Sequence, residues 1–452
     1  MNRISKKLSH SLKWLSLESI IYQAIFLLHQ ICLLKITGYK LYGAIGALFS
    51  IIYLTVTITS FGLESSLSPF FKEISTSKKS FFHFFTFQFS ITLLLALLSI
   101  PIILLLKLSD PSIFSHQTNL LFMLIIPLLI LSESIKKTLR AILYLSFKNK
   151  INMTIEIISL LCYVATIWAI YLTSHTVSLY TIFTPMLLMS LTSNSLLFTH
   201  VYRYYEALPE NLHSQAGQDS SKNLSWRPLK TRSINFANQF SHSLFSSNFL
   251  VPFFAFQFGL AQAGIFKLLS HVSYSISMLM RKIFGWSSDA LLSQTKDLSM
   301  EEKQHIFSQL NQKINHAIIA LIIFFMINTR KIATFYAPAT VINWPLIYFF
   351  LMITLTENLF ISYEKFYIVE EKNSILLILN LFSTLTLFAI ISYSSYLSQP
   401  LLLFLILLSR ATFFVILALI SFAKWQIRPQ IQIKPLYLAT FTLISLVFFT
   451  IF

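Results

Sequence analysis

The chain has 452 residues, of which 55% are hydrophobic and only 11% are charged, and its mean hydropathy is +0.70. A soluble domain carries about 25% charged residues, so a soluble chain of this composition would expose more apolar surface than water tolerates. The composition therefore excludes a soluble enzyme, a nucleic-acid-binding protein and a disordered protein. The net charge of +17 fits a membrane protein, because basic residues concentrate in cytoplasmic loops beside anionic lipids.

Apolar segments long enough to cross a membrane recur along the whole chain. A spanning helix needs about 20 mostly apolar residues, and the first half has six such spans, at 14–36, 42–63, 81–106, 119–145, 151–173 and 178–202. The second half has six more, at 234–256, 263–285, 311–327, 344–364, 373–396 and 400–422, and a short thirteenth run follows at 436–452. The fold class predicted is an all-α polytopic membrane protein with 12 core transmembrane helices and a thirteenth C-terminal helix.

The basic residues predict the orientation of these spans. With the N-terminus in the cytoplasm, most Lys and Arg residues fall in cytoplasmic segments. The opposite segments hold only Lys35, Lys40, Lys107, Arg330 and Lys331. A missed or additional helix would disturb this alternation, so the positive-inside rule supports both the count and a cytoplasmic N-terminus.

Glycine spacing indicates an internal repeat. Gly38 and Gly43 recur as Gly259 and Gly264 at an offset of 221 residues, close to half the chain. Because six spans per half is an even number, both halves share one orientation and form a parallel repeat. We therefore predict four parts, namely an N-terminal six-helix bundle (1–202), a polar cytoplasmic linker (203–233), a C-terminal six-helix bundle (234–422) and an extra C-terminal helix (423–452).

The glycine-containing segments also resemble a known family. The stretches at 38–43, 50–53 and 61–71, and Phe-Gly-Leu-Ala-Gln-Ala-Gly-Ile-Phe at 258–266, are similar to the multidrug/oligosaccharidyl-lipid/polysaccharide (MOP) exporter superfamily, and most of all to its Wzx-like polysaccharide biosynthesis flippases. This resemblance implies a V-shaped pair of bundles in the bacterial inner membrane. By alternating access it would carry polyprenyl-diphosphate-linked oligosaccharide, such as an O-antigen unit, from the cytoplasmic to the outer leaflet.

The sequence is also compatible with other functions. A cation-coupled drug antiporter of the same superfamily would depend on an intramembrane acid such as Glu18. A flippase of the peptidoglycan lipid precursor is a further alternative, although the arginine-rich first two helices of those relatives are absent here. A membrane enzyme is disfavoured, because Asp110 is the only acid predicted between helices on the outer side.

No cofactor is expected. The two cysteines, Cys32 and Cys162, lie in apolar segments, and the sequence has no metal-ligand spacing and no glycine-rich phosphate loop. The partners expected are the lipid-linked sugar substrate, membrane lipids and a polysaccharide polymerase or glycosyltransferase, without nucleic acid.

Polar side chains at helical spacing give the candidate substrate site. They occur on the first span as Glu18, Tyr22 and His29, and on the seventh span as Asn235, Asn238, Gln239, His242 and Ser246. Polar side chains that face lipid cost free energy. We therefore expect both sets to line a cleft and contact sugar hydroxyls. The alternative is that they form interhelical hydrogen bonds within the bundle.

Charged residues within the spans are further candidates. Arg410, in the twelfth span, either holds the lipid diphosphate or pairs with an acid such as Glu133 or Glu357. Lys35 and Lys267, predicted near the outer face, either attract the diphosphate or extend to lipid head groups. Glu18 and His29 are also candidates for binding a coupling proton.

Overall fold

The computed structural model describes residues 2–63, 67, 71, 74–109, 120–146, 148–210, 220–280, 299, 301–302, 367 and 373–425. The first half contains α1 (Asn2–Thr59), α2 (Lys78–Ser109), α3 (Leu120–Leu145), α4 (Asn149–Ser174) and α5 (Leu179–Glu206). The second half contains α6 (Ser220–Leu244), α7 (Ser247–Phe258), α8 (Leu260–Met280), α9 (Asn373–Ser392), a 3-10 turn (Ser394–Tyr396) and α10 (Gln399–Trp425).

The prediction of an all-α polytopic membrane protein is confirmed. Within the described residues there are helices and turns but no strands, and six of the helices are long and apolar enough to cross a membrane by length and composition. The predicted ninth and tenth spans (311–327 and 344–364) and the thirteenth run (436–452) lie outside the described residues.

The first two predicted spans are the two arms of α1, which fold back on each other at Gly38. Gly38 has φ 69° and ψ 169°, a conformation open to glycine because it has no Cβ. The hydroxyl of Tyr42 donates to Gln30 Oε1 at 3.0 Å. These residues would lie about 18 Å apart along a straight helix, so the hydrogen bond joins two antiparallel arms.

The predicted seventh span is divided into two helices. Helix α6 ends at Leu244. Ser246 is the N-cap of α7, and its Oγ accepts the Asn248 backbone N–H at 3.2 Å. Helix α6 begins at Ser220 and α5 continues to Glu206, so helices extend into the expected linker (203–233) from both ends. Hydropathy detects only the apolar part of a helix, which is why these polar extensions are missed.

The glycine repeat corresponds to a symmetric contact between the halves. Gly259 joins α7 to α8 with φ 87° and ψ 164°, close to the conformation of Gly38. A Cβ on Gly43 would lie 1.8 Å from the carbonyl oxygen of Leu260, and a Cβ on Gly264 would lie 2.3 Å from that of Tyr39.

Each residue of one contact is offset by 221 from its counterpart in the other. The two contacts are therefore related by a local pseudo-two-fold axis, as the internal repeat predicts. Helices α1 and α8 form the most extensive helix pair of the described chain.

We predict that Gly43→Ala and Gly264→Ala each force α1 and α8 apart. Because each new Cβ would overlap a backbone oxygen, the loss should be about 1–3 kcal/mol of stability, the usual cost of overpacking. Thermal unfolding of the purified protein in detergent measures this loss. Ala261→Val, which adds volume at an exposed position of α8, is the matched control. Glycine variants with the same melting temperature as the wild type would contradict the close contact.

Candidate functional site

Glu18 is fully buried and bound to α3. Arg140 Nη2 donates to Glu18 Oε1 at 2.9 Å, and the Tyr144 hydroxyl donates to the same oxygen at 3.2 Å. Arg140 also donates to Tyr144 at 2.6 Å, which orients the guanidinium and the phenol together. The carboxylate that the sequence places on a polar stripe is therefore engaged within the first half of the chain.

A second carboxylate continues this network on α4. Glu156 contacts Arg140 Nη1 at 3.2 Å and Lys136 Nζ at 3.2 Å, and Lys136 lies 3.8 Å from Glu133. Charges at 133, 136 and 140 share one face of α3, since they are spaced i, i+3 and i+7. That spacing is the sequence signal that could have revealed the network, whereas the assignment of Glu18 to it needs the fold.

His29 and Tyr22 lie farther along the same arm of α1. The His29 ring is buried and meets Tyr163 of α4 edge-on, with ring centroids 5.5 Å apart. Neither ring nitrogen of His29 has a hydrogen-bond partner among the described residues. Tyr22 is partly buried and stacks on Phe26, which in turn contacts His271 of the second half.

In the second half, Arg410 joins three helices. Its Nη2 lies 2.5 Å and 2.7 Å from the two ring nitrogens of His242 on α6, and its Nη1 donates to Asn380 Oδ1 of α9 at 3.5 Å. Asn380 Nδ2 donates in turn to Asn238 Oδ1 at 3.0 Å. The predicted seventh-span residues Asn238 and His242 are thereby brought together with Arg410.

The surroundings of Arg410 are aromatic. Its guanidinium carbon lies 4.6 to 5.0 Å from the ring centroids of Phe413, Phe414 and Phe245, and the side chain is fully buried. Glu133, one of the two suggested partners, lies beside Lys136 on α3, and no ion pair joins it to Arg410 among the described residues. Glu357, the other suggested partner, lies outside the described residues.

The rest of the seventh-span stripe is divided between environments. Asn235 is buried, while Gln239 is only partly buried and Ser246 caps α7. The stripe therefore does not present one continuous face.

Lys267 lies between the halves and not at a surface. Its side chain is 4% exposed, and its Nζ donates to Ser50 Oγ of α1 at 2.9 Å. A Cβ on Gly46 would lie 2.8 Å from Lys267 Cγ, so Gly46 provides the space that the lysine fills. The Lys267 side chain is therefore directed to the contact between the halves and not to lipid head groups, whereas Lys35 is exposed.

Arg232 is a second buried cation between the halves. It is 4% exposed on α6, and it donates through Nε to the Phe61 carbonyl oxygen at 3.3 Å and through Nη2 to Gln88 Oε1. The rings of Phe61 and Phe87 lie 5.6 Å from its guanidinium carbon. Sequence reasoning missed Arg232, because it assigned residue 232 to the linker.

Comparisons with known proteins identify the fold. Neither a family model nor a curated protein matches the chain. Solved structures do match, among them a eukaryotic MATE transporter with a TM-score of 0.67 at 13% identity, covering 95% of this chain and 98% of that one.

Two further solved structures show the same likeness. A MOP superfamily transporter from Pyrococcus furiosus matches with a TM-score of 0.65 at 12% identity, over 92% of this chain and 95% of the other. An outward-facing multidrug resistance MATE transporter matches with a TM-score of 0.61 at 13% identity, over the same shares of the two chains. The chain therefore has the fold of the MOP superfamily, as the resemblance in sequence implies.

We predict that Glu18→Gln and Arg140→Gln each destabilise the protein by about 3–5 kcal/mol, because removing one member of a buried ion pair leaves the other charge uncompensated. Thermal unfolding of the purified variants measures the loss. In Glu18→Gln combined with Arg140→Gln, the loss should be smaller than the sum of the two single losses. Glu210→Gln, which removes an exposed partner of Lys78, is the control, and additive losses would argue against the pair.

Proposed function

We propose that the protein is a transporter that moves a polyprenyl-diphosphate-linked oligosaccharide from the cytoplasmic to the outer leaflet of a bacterial inner membrane. Its N-terminus would lie in the cytoplasm, and a polysaccharide polymerase or glycosyltransferase would act as a partner. The shared fold with MOP superfamily transporters supports transport in general. The charges where the halves meet bear on the nature of the cargo.

The observation that supports an anionic cargo is the pair of buried cations Lys267 and Arg232. Both lie where the halves touch, and the hydrogen-bond acceptors that they contact among the described residues are neutral, a hydroxyl for one and two carbonyl-type oxygens for the other. A buried charge without a countercharge is costly. An anion that binds as the halves separate would compensate this charge, and a diphosphate supplies it.

The carboxylates favour the same cargo. A cation-coupled drug antiporter would rely on an acid such as Glu18, yet Glu18 is held by Arg140 and Tyr144 inside the first half. The multidrug transporters among the similar structures nevertheless keep that alternative in view. The Pyrococcus furiosus protein is described as having a binding pocket of reversed polarity that suggests a different function, so pocket charge is a meaningful criterion within this fold.

In alternating access, the halves would separate at the glycine contact between α1 and α8 or at the Arg232 contact. Gly43 and Gly264 close the halves near the bend of α1 at Gly38, and Arg232 holds them just beyond the C-terminal end of α1, at Phe61. Each contact would have to open in turn for a head group to enter from one leaflet and leave to the other, while the polyprenyl tail remains in the bilayer.

We predict that cells lacking this protein accumulate undelivered lipid-linked sugar, measured by lipid extraction and chromatography. Complementation with Lys267→Gln should restore export at least about tenfold less well than the wild type, because a diphosphate contact is worth more than about 1.4 kcal/mol. Lys40→Gln removes an exposed lysine near the bend of α1 at Gly38 and should complement fully. If deletion leaves lipid-linked sugars unchanged while Glu18→Gln abolishes drug resistance, the antiporter is the better assignment.

We also predict that the membrane potential drives transport. One charge crossing the membrane is worth about 2.3 kcal/mol per 100 mV, and a diphosphate leaving a negative interior carries more than one. In proteoliposomes, dissipating an interior-negative potential should slow flipping of the diphosphate lipid severalfold, whereas dissipating only the pH gradient should not. Equal rates with and without the potential would exclude this driving force.

A further inference from the structure

The Arg232 contact joins the halves through a fork of hydrogen bonds. Nε and Nη2 lie on one edge of the planar guanidinium, and this edge matches two oxygens of a phosphate or carboxylate. Here the edge is occupied by the carbonyl oxygen of Phe61 and by Gln88 Oε1, both from the first half of the chain. Two neutral oxygens therefore occupy donors whose geometry suits an anion.

The turn that supplies the Phe61 oxygen is specialised for this contact. After α1 ends, Phe61 and Gly62 have φ of 45° and 66°, both in the left-handed region. That region is unfavourable for phenylalanine. A Cβ on Gly62 would lie 2.7 Å from the Arg232 carbonyl oxygen and 2.8 Å from the Phe236 nitrogen, so only glycine permits the approach of α6.

The contact lies close to the exposed face of α2. Phe87, whose ring packs over the Arg232 guanidinium, is 45% exposed on α2. A second cation lies next to the turn, since Lys137 Nζ donates to Ser60 Oγ at 3.4 Å. A lipid head group reaching this place from the side of α2 would meet positive charge behind the ring of Phe87, with the ring of Phe61 on the same guanidinium.

We propose that Arg232 is a phosphate-binding latch, in which the diphosphate of the lipid-linked substrate displaces Phe61 O and Gln88 Oε1 and so releases α6 from α1 and α2. This inference rests on the proposed function and deepens it by assigning the residue that receives the diphosphate. Hydrogen bonds between charged partners are stronger than those to neutral oxygens, so the exchange favours the phosphate. Binding of the substrate and separation of α6 from α1 and α2 at the Arg232 contact would then occur together.

Cysteine cross-linking measures the latch directly. In a protein with Cys32 and Cys162 replaced by alanine, Phe61→Cys and Phe236→Cys place thiols where two rings now lie 5.1 Å apart. The rate of oxidative cross-linking in nanodiscs reports how often α6 lies against the turn at residue 61. The substitution at residue 61 keeps its backbone oxygen, which is the acceptor for Arg232. Binding of polyprenyl diphosphate, polyprenyl-diphosphate-linked sugar or inorganic pyrophosphate is measured on the same samples by native mass spectrometry.

If Arg232 is such a latch, substitutions of Arg232 and of its partner Gln88 should change the affinity for the lipid diphosphate in opposite directions. Arg232→Gln should weaken binding of the lipid diphosphate about tenfold or more and make cross-linking slow and insensitive to lipid. Gln88→Ala removes a competitor for the guanidinium, so it should also slow cross-linking but tighten lipid binding severalfold. Arg232→Lys, which keeps the charge without the fork, should fall between wild type and Arg232→Gln, and Lys230→Gln, an exposed cation on the same helix, should match the wild type.

Other results would overturn the latch. If Gln88→Ala weakens lipid binding as much as Arg232→Gln does, the contact is only structural. Equal slowing of cross-linking by pyrophosphate or by phosphatidylglycerol would replace the lipid-linked diphosphate with a free or bulk phosphate ligand. Lipid-linked sugar accumulating on deletion, together with unchanged binding in Arg232→Gln, would refute the latch while leaving the proposed flippase intact.

Discussion

The close approach of α1 and α8 is the constraint on which the arrangement of the two halves depends. Gly43 faces a backbone oxygen of α8 and Gly264 faces a backbone oxygen of α1, so neither position has room for a side chain. This backbone-to-backbone packing brings the two repeats together around a pseudo-two-fold axis and sets the distance at which other residues can bridge them. Lys267 reaches Ser50 only because this distance is short and because Gly46 leaves space beside it.

The two halves use the same helical framework for different electrostatics. The first half contains a network of carboxylates and cations across α1, α3 and α4, centred on Glu18, Arg140 and Glu156, in which opposite charges neutralise each other locally. In the second half, Arg410 contacts a histidine, an amide and three aromatic rings. Where the halves meet, Lys267 and Arg232 contact neutral oxygens. Positive charge is thus concentrated where the two halves meet, and an anionic cargo is proposed on this basis.

The contacts within the first half and the contacts between the halves differ in how much free energy it costs to break them. The buried ion pairs within the first half are expensive to separate and hold α1 to its neighbours as a unit. The polar contacts between the halves, among the described residues, are hydrogen bonds to neutral groups, which water or a ligand replaces at lower cost. The two kinds of contact therefore differ in the cost of breaking them.

Hydropathy and glycine spacing by themselves determined the all-α membrane fold, the repeat and the positions of most spans, because these features depend on local composition and on backbone freedom at Gly38 and Gly259. Charge spacing on α3 also carried information about the ion network. Only the tertiary structure decided that Glu18 pairs with Arg140, that Lys267 is buried against Ser50, and that Arg232 belongs to a helix of the second half. These partners lie far apart in sequence, and their meeting depends on how each helix is rotated and how closely it packs, which a linear pattern does not encode.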